Sequence, residues 1–268
     1  MEFIPIKTRA FLPPRDNLLE LLGEELGQPG RRLRNGDVLF ITSKVLAIHQ
    51  GRTVKIPANK RAAQELKNEL IKREAEAWLP PGKVAGHEFY LTIKEHTLIP
   101  SAGIDESNAD GYYVLWPRNV NVLLKTIRAR FMKQYKLKNL GVVATDSHTQ
   151  PLRTGVTGIS VGLVGFEPLR DYRNKKDVFG RQLKYTQANI ADALSAMAVL
   201  LMGEGSERTP LLILRGAKFL KFTNKPTHQK LFFPAKKDLY YPLLKPFYER
   251  TAKSKRRPAL RRHRRHKH

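Results

Sequence analysis

The stretch LGVVATDSHTQPLRTGVTGISVGLVG, residues 140–165, decides how the chain is read. Its first six residues, LGVVAT, have the β-branched and small apolar character of a short buried strand. Its last twelve, TGVTGISVGLVG, place glycines among β-branched residues, which marks strands or close-packed turns rather than a flexible linker. Between them TDSHT puts Thr145, Asp146, Ser147 and His148 directly after a strand, where side chains project into ligand-binding crevices of mixed sheets.

Working outward, the same strand character recurs in FIPIK (3–7), in DVLFITSKVLAI (37–48), in FYLTIKEHTLI (89–99) and in PLLILRG (210–216). Helical spacing separates these runs. Asp16 is placed to cap NLLELLGEEL, and Asn59 a helix with Ala63, Leu66, Leu70 and Ala77 on one face before Pro80-Pro81-Gly82. From Arg118 to about Tyr135, Val120, Leu124, Ile127 and Phe131 form an apolar stripe opposite Lys125, Arg128 and Lys133. A further helix runs from about Gln187 to Met202, with Ala191, Leu194, Ala198 and Leu201 inward and Gly203 as its stop. Strands alternating with helices give an α+β fold on a mixed sheet. The division expected is one catalytic domain over 1–249, with an aromatic and basic extension over 216–249, and a basic, disordered tail over 250–268.

Composition narrows the chemistry. The chain has 268 residues and no cysteine, which excludes disulfides, thiolate nucleophiles, cysteine-ligated zinc and iron–sulfur clusters. Any metal sits on oxygen or imidazole. Forty-nine lysines and arginines against 24 acids leave a formal charge of +25, which calls for an anionic partner. No apolar run approaches the roughly 18 residues that span a bilayer, and the opening lacks the order of a signal peptide, so a cytoplasmic protein without a membrane partner is expected.

Three polar segments carry candidate chemistry. GIDESN holds Asp105, Ser107 and Asn108, and TDSHT holds Asp146 and Ser147, so each pairs a carboxylate with a hydroxyl. Such oxygen sets suit magnesium or manganese and the phosphates these ions carry; capped turns that satisfy local backbone groups explain the same residues. MGEGS (202–206) presents Glu204 between two glycines, either as a ligand approach or as a plain helix stop. DYRNKKDVFGR (171–181) crowds charges of both signs, as an ion-pair network or an anion site. No GxxxxGK[ST] occurs, so a nucleotide is not held by a Walker-type loop.

GDVLFITSKVLAIHQGR, SAGIDESN, VVATDSHTQPLRTGVTGISVG, LRDYRNKKDVFGRQLKYT and LLMGEG, in that order, resemble the coenzyme F(420)-0 gamma-glutamyl ligase family, whose wider group includes folate gamma-glutamate ligases. The resemblance spans residues 3 to 216. It implies a two-lobed gamma-glutamyl ligase fold, a homodimer, and a reaction in which GTP and Mg2+ or Mn2+ serve to join L-glutamate to an anionic carboxylate acceptor. By position it implies Asp105, Asp146, Ser147 and Glu204 as metal ligands. Thr8, Arg9, Ala10, Phe11, Ser43, Lys44, Asn108, Met202, Gly203 and Gly205 become nucleotide contacts. Ser147 replaces the family's usual threonine, Ile48 stands where many members carry a lysine, and His148-Thr149-Gln150 replaces a stretch containing Gly-Arg. The last two departures and the aromatic extension favour a folate acceptor over the deazaflavin one.

Amide formation from a carboxylate needs prior activation, most simply as an acyl phosphate. Asp105 and Asp146 are then expected at the reacting phosphates, with Arg153, Arg170 and Arg181 available to clamp carboxylates. A second reading comes from the aromatics and lysines interleaved from Lys218 to Tyr248 and from the tail RRPALRRHRRHKH: contact with nucleic acid, non-specific where the tail makes it. The prolines at 226, 234, 242 and 246 favour instead an extended arm packed on the body or a partner subunit.

Overall fold

The computed structural model describes residues 1–84 and 87–255. Residues 256–268, which include most of the expected tail with His263, His266 and His268, lie outside the described residues, as does any nucleic-acid contact made there. In chain order the first elements are β1 (Glu2–Ile6), α1 (Leu18–Gly27), β2 (Asp37–Thr42), α2 (Ser43–His49), β3 (Thr53–Lys55) and α3 (Lys60–Glu74). Short strands follow: β4 (Ala77–Trp78), β5 (Gly82–Val84), β6 (His87–Phe89), β7 (Leu91–Lys94), β8 (Thr97–Pro100) and β9 (Tyr112–Val114). Then come α4 (Val120–Tyr135), β10 (Leu140–Thr149), β11 (Val156–Val164), β12 (Leu169–Asp171), β13 (Gln187–Asn189), α5 (Ile190–Met202), β14 (Leu211–Arg215) and α6 (Tyr241–Lys255). The fold is α+β on a mixed sheet, and the chain divides into two compact units, Met1–Ala58 with Ile104–Phe232, and Asn59–Gly103 with the residues from Phe233 onward.

The first unit is built on a five-stranded sheet in the order β1-β14-β2-β10-β11. Only β2 and β10 run parallel, from Leu140 beside Asp37 to Thr145 beside Thr42. The central strand β2 reads as an unbroken apolar run because both its faces are covered. Val38 and Phe40 join Val143, Leu163, Leu212 and Leu214 in the core beneath α5, whose Ala191, Leu194, Ala198 and Met202 complete that layer. In α4, Val120, Leu124, Ile127 and Phe131 are buried as the periodicity predicts. Arg128, expected on the outer face, instead folds back and donates to the carbonyl of Leu140 at 2.7 Å and to Asn224 at 2.8 Å.

Glycines let both helices close on β11. A Cβ on Gly158 would lie 2.4 Å from the carbonyl of Ser195 on α5, and one on Gly162 would lie 2.5 Å from a methyl of Val120 on α4. Two even-numbered residues face opposite helices because the strand is bulged: Gly162 pairs with Ala144 but Ser160 with Thr145, so Val161 is the extra residue and the alternation inverts across it.

Several sequence expectations change. DVLFITSKVLAI is not one strand; the chain turns from β2 into α2 between Thr42 and Ser43. Asn17, not Asp16, caps α1, accepting from the amides of Leu19 and Glu20. Leu201 is exposed on α5, whereas Ser195 and Val199 face inward, so the buried stripe is turned toward the Ser195 side of Ala191 and leaves Leu201 just beyond its opposite edge. β10 continues through Thr149, so TDSHT is strand rather than turn.

In the second unit Asn59 caps α3 as expected, its side chain accepting from the amide of Ala62 at 3.0 Å. The helix stops at Glu74, and Ala77 belongs to β4. FYLTIKEHTLI is a hairpin, β7 paired with β8, turning through Glu95 and His96 with positive φ. β4, β7 and β8 form a three-stranded sheet, β5 pairs with β6, and Phe247 of α6 packs on Ala77 and Ile93. Helix α6 runs to Lys255, past the residue 250 at which the disordered tail was expected to begin. The extension after residue 216 packs down in part: Ala217 and Leu220 are buried in the core under α5, with Phe222 and Leu231 against it.

Candidate active site

Five chain segments meet at one end of the five-stranded sheet. Strands β2 and β10 both point their C-terminal ends there, delivering Thr42-Ser43-Lys44 and Thr145-Asp146-Ser147 side by side. The chain leaving β1 is held by the Thr8 amide donating to the carbonyl of Arg208 at 2.8 Å, and the chain entering β14 by the Thr42 amide donating to that of Pro210 at 3.0 Å. Asp105 comes from outside the sheet, pinned by two backbone hydrogen bonds to Val114 at 3.0 and 2.8 Å. Asn108 then ties this segment to the glycine loop, donating to the carbonyl of Gly205 at 2.9 Å.

These segments line a cavity of about 770 Å3 that includes Thr8 to Phe11, Ser43, Lys44, Asp105, Asn108, Asp146, Ser147 and the Met202 to Gly205 loop. All the residues expected to hold nucleotide or metal are therefore in one place. The three arginines expected to clamp carboxylates are not among the lining residues. Arg153 sits on the exposed turn between β10 and β11, and Arg170 lies over the ring of Phe219 at 5.5 Å. Arg181 is exposed in a turn organised by Asp177, whose carboxylate accepts from the amides of Phe179 and Arg181.

The electrostatics centre on carboxylates and one lysine. Burial pushes Asp146 up to about 6; the charge of Asp105 adds to this, while the Ser43 hydroxyl, the Ser147 amide and Lys44 oppose it. Burial acts on Asp105 too, but the Lys44 ammonium, 2.7 Å away, overcomes it and holds that carboxyl below its ordinary value. Glu204 is pushed up by burial and by Asp105 and Glu207, and accepts at 3.4 Å from the Ser147 hydroxyl. The Thr145 hydroxyl is buried without a hydrogen-bond partner.

An all-oxygen set with a carboxylate this uncompensated fits a hard divalent cation. Among the described residues no three carboxylates or imidazoles form a ready-made metal cluster.

Sequence reasoning missed Glu207, which folds back under the loop and accepts from the Gly205 amide at 2.8 Å. Nothing in a single glutamate two residues past a glycine signals this. It also missed the apolar wall: Ile48 is buried with Ala47, Ala109 and Val114, and Phe11 packs on them.

Arg9 grips Asp16 with two hydrogen bonds, 2.5 and 2.9 Å, shaping the segment that runs from Thr8 to Pro13 along the cavity. That contact, with the amides of Leu12 and Asn17, holds Asp16 well below the usual carboxylate range. A depressed carboxylate stabilises the fold above its unfolded value near ~3.9 and loses that contribution as pH falls toward its folded value. Asp16→Asn is therefore expected to cost about 1 kcal/mol at pH 7, solvent screening of the half-exposed guanidinium keeping the figure modest. In urea unfolding, the gap between variant and unaltered protein should shrink as the pH is taken below 3.

A family model described as "F420-0:Gamma-glutamyl ligase" matches residues 6–216, the span that holds every lining residue of the cavity. The chain belongs to this family. Curated relatives agree: a "Coenzyme F420:L-glutamate ligase" of Methanopyrus kandleri is 32% identical over 227 residues, covering 80% of this chain and 86% of the relative. Proteins of the same name from Methanothermobacter thermautotrophicus and Methanocaldococcus jannaschii are 29% and 32% identical, covering 75% and 69% of this chain and 83% and 77% of their own lengths. The family match stops at residue 216, where the resemblance in sequence also fades, so the arm from Ala217 and helix α6 fall beyond it. Among the described residues no helix is long and apolar enough to cross a membrane.

Proposed function

We propose that the chain is a GTP- and metal-dependent ligase that joins L-glutamate to the carboxylate of coenzyme F(420)-0 through an acyl phosphate. The observation that carries this is the convergence of Asp105, Asp146, Ser147 and Glu204 with the Gly203–Gly205 loop around one cavity. The names of the relatives move the acceptor from the folate that the sequence favoured to F(420)-0, and folate becomes the alternative.

Asp105 and Asp146, with Ser147 and Glu204 beside them, would hold Mg2+ or Mn2+. Such an ion, when bound, neutralises the triphosphate and the charge that grows during phosphoryl transfer. The chain's own part is placement. Phe11 and Ile48 offer an apolar wall for a flat base, and the glycine loop lets backbone come close to an anion. Lys44 supplies a mobile positive charge. The acceptor carboxylate oxygen attacks the terminal phosphorus and the nucleoside diphosphate leaves. The glutamate amine then attacks the acyl carbon, loses a proton and expels phosphate. Neither step calls for a protein nucleophile; positioning and electrostatics supply the acceleration.

The test is mass spectrometry of reactions containing the protein, L-glutamate, Mn2+ or Mg2+, GTP or ATP, and F(420)-0 or tetrahydrofolate. F(420)-0 gaining glutamyl mass as GDP and phosphate appear is the expected result. Gain on tetrahydrofolate alone would shift the acceptor, and gain on neither would overturn the reading.

The homodimer belongs to the same proposal. Leu152, Val178, Phe179 and Tyr185 stand almost fully exposed and Leu200 largely so, on two loops and one helix of the first unit, apolar groups that a second copy would cover. Phe179→Asp combined with Tyr185→Asp is expected to convert a dimer to a monomer in light scattering; a double variant that remains dimeric would place the interface elsewhere.

A further inference from the structure

Lys44 is already satisfied by its protein neighbours. Its ammonium has three protons and makes three contacts: the Asp105 carboxylate at 2.7 Å, the Ser107 carbonyl at 2.7 Å and the Ser107 hydroxyl at 3.1 Å. The Ser107 amide and hydroxyl also bind Asp105, at 2.8 and 3.0 Å, so the lysine sits in a closed ring with the carboxylate and its neighbour. It is the cation whose charge reaches all three acids, opposing the burial of Asp146 and Glu204 as well as holding Asp105. A divalent ion on Asp105 cannot share that oxygen with an ammonium without bringing like charges into contact. The ammonium rides on a flexible four-carbon stem, and the cavity it borders is large enough for it to swing.

We infer that Lys44 is an exchangeable counter-cation: it occupies Asp105 while the metal is absent and passes to the nucleotide's phosphates when the metal arrives, coupling the two binding events. The inference rests on the metal- and nucleotide-dependent reading above and adds a role for Lys44 that a plain phosphate contact lacks. Metal alone must displace an ion pair, and nucleotide alone meets a lysine already engaged, so each ligand binds weakly without the other. Together they satisfy every charge. Linkage makes the effect reciprocal: whatever factor GTP adds to metal affinity, metal adds to GTP affinity. Lys44 is a positioning residue in this scheme, acting on the metal through Asp105.

The experiment is calorimetric titration of Mn2+ into the full-length protein, with and without GTP, in the absence of acceptor and glutamate. A lysine that only contacts phosphate, or only supports the fold, gives no gain in affinity for the metal alone when removed. Under the exchange scheme Lys44→Met binds Mn2+ alone about tenfold more tightly than the unaltered protein, and the further tightening by GTP shrinks by a similar factor. Lys44→Gln should behave likewise, and Lys44→Arg, which restores the charge, should return Mn2+ affinity to the unaltered level. Unchanged or weaker Mn2+ binding in folded Lys44→Met or Lys44→Gln, with the unaltered protein binding normally, overturns the inference and leaves the ligase reading standing. Failure of the unaltered protein to bind Mn2+ with or without GTP removes the metal reading itself, and the inference with it.

Discussion

Asp146→Asn is expected to lower glutamyl transfer by about a thousandfold or more while the melting temperature stays level or rises. The loss follows from position. Asp146 lies within β10, one residue past the last pair that strand makes with β2 and paired with Ile159 of β11, beside Ser43, which hydrogen-bonds it, and within the field of Asp105. No neighbouring carboxylate can take its place without moving a strand. The gain in stability follows from its environment. Burial leaves the carboxylate uncompensated and pushes its pKa up to about 6, so above that pH the folded state carries an ionised group that the unfolded chain would hold more comfortably. Removing the charge but keeping the shape relieves about 1 to 3 kcal/mol of that cost. Initial rates by mass spectrometry and thermal unfolding at pH 7.5 read both halves. Retained activity would exclude Asp146 from the phosphoryl chemistry, and a large drop in melting temperature would recast it as structural.

The second large effect lies at the opposite end of the same sheet. Asp37, at the start of β2 and only 1% exposed, receives Arg215 from the end of β14 through Nε at 3.1 Å and Nη2 at 2.9 Å, and also the Arg34 amide at 2.8 Å. Arg215 extends the network to the carbonyl of Arg32 at 3.0 Å. Asp37→Ala strands a largely buried guanidinium, and breaking one side of such a pair costs about 3 to 5 kcal/mol. In a chain of this size that lowers the melting temperature by roughly 10 °C. Asp37→Leu with Arg215→Met, which removes both charges, should recover most of the loss; if the double variant is no better than Asp37→Ala, the cost lies in packing rather than in the stranded charge. The pair is about six residues, or roughly 20 Å, from the strand ends that carry the cavity, so kcat below the transition should not change.

How much of this the sequence disclosed depended on whether the signal was periodic. The stripe of α4 and the cap of α3 were legible because a single face or a single side chain determines them. The switch from β2 to α2 was not, because the short polar break Thr42-Ser43-Lys44 inside DVLFITSKVLAI suits a strand as readily as a helix start, and no glycine or proline marks the change of period. Asp16 and Asn17 are both plausible caps in sequence; the presence of Arg9 seven residues earlier, which claims Asp16, is a tertiary fact. In the site, Asp146 and Glu204 stood out because an apolar, strand-like run ends before the one and a helix before the other. Asp105 stood out by composition, although what places it is a backbone pairing with Val114 that nothing in GIDESN announces. Arg153, Arg170 and Arg181 were chosen for their chemistry alone, and chemistry does not say which way a loop points.

The extra residue Val161 has a consequence for how this hairpin tolerates change. Because the alternation inverts there, the half that carries Thr145 to Ser147 is geared to α5 through Gly158, while the other half is geared to α4 through Gly162. Deleting Val161 would not merely shorten a strand; it would turn Gly158 away from the carbonyl it must approach and present a side chain in its place. Homologous hairpins can therefore be exchanged between members of the family only as whole cassettes, bulge included, and length variation should accumulate in the turn at 150–155 rather than anywhere along β11.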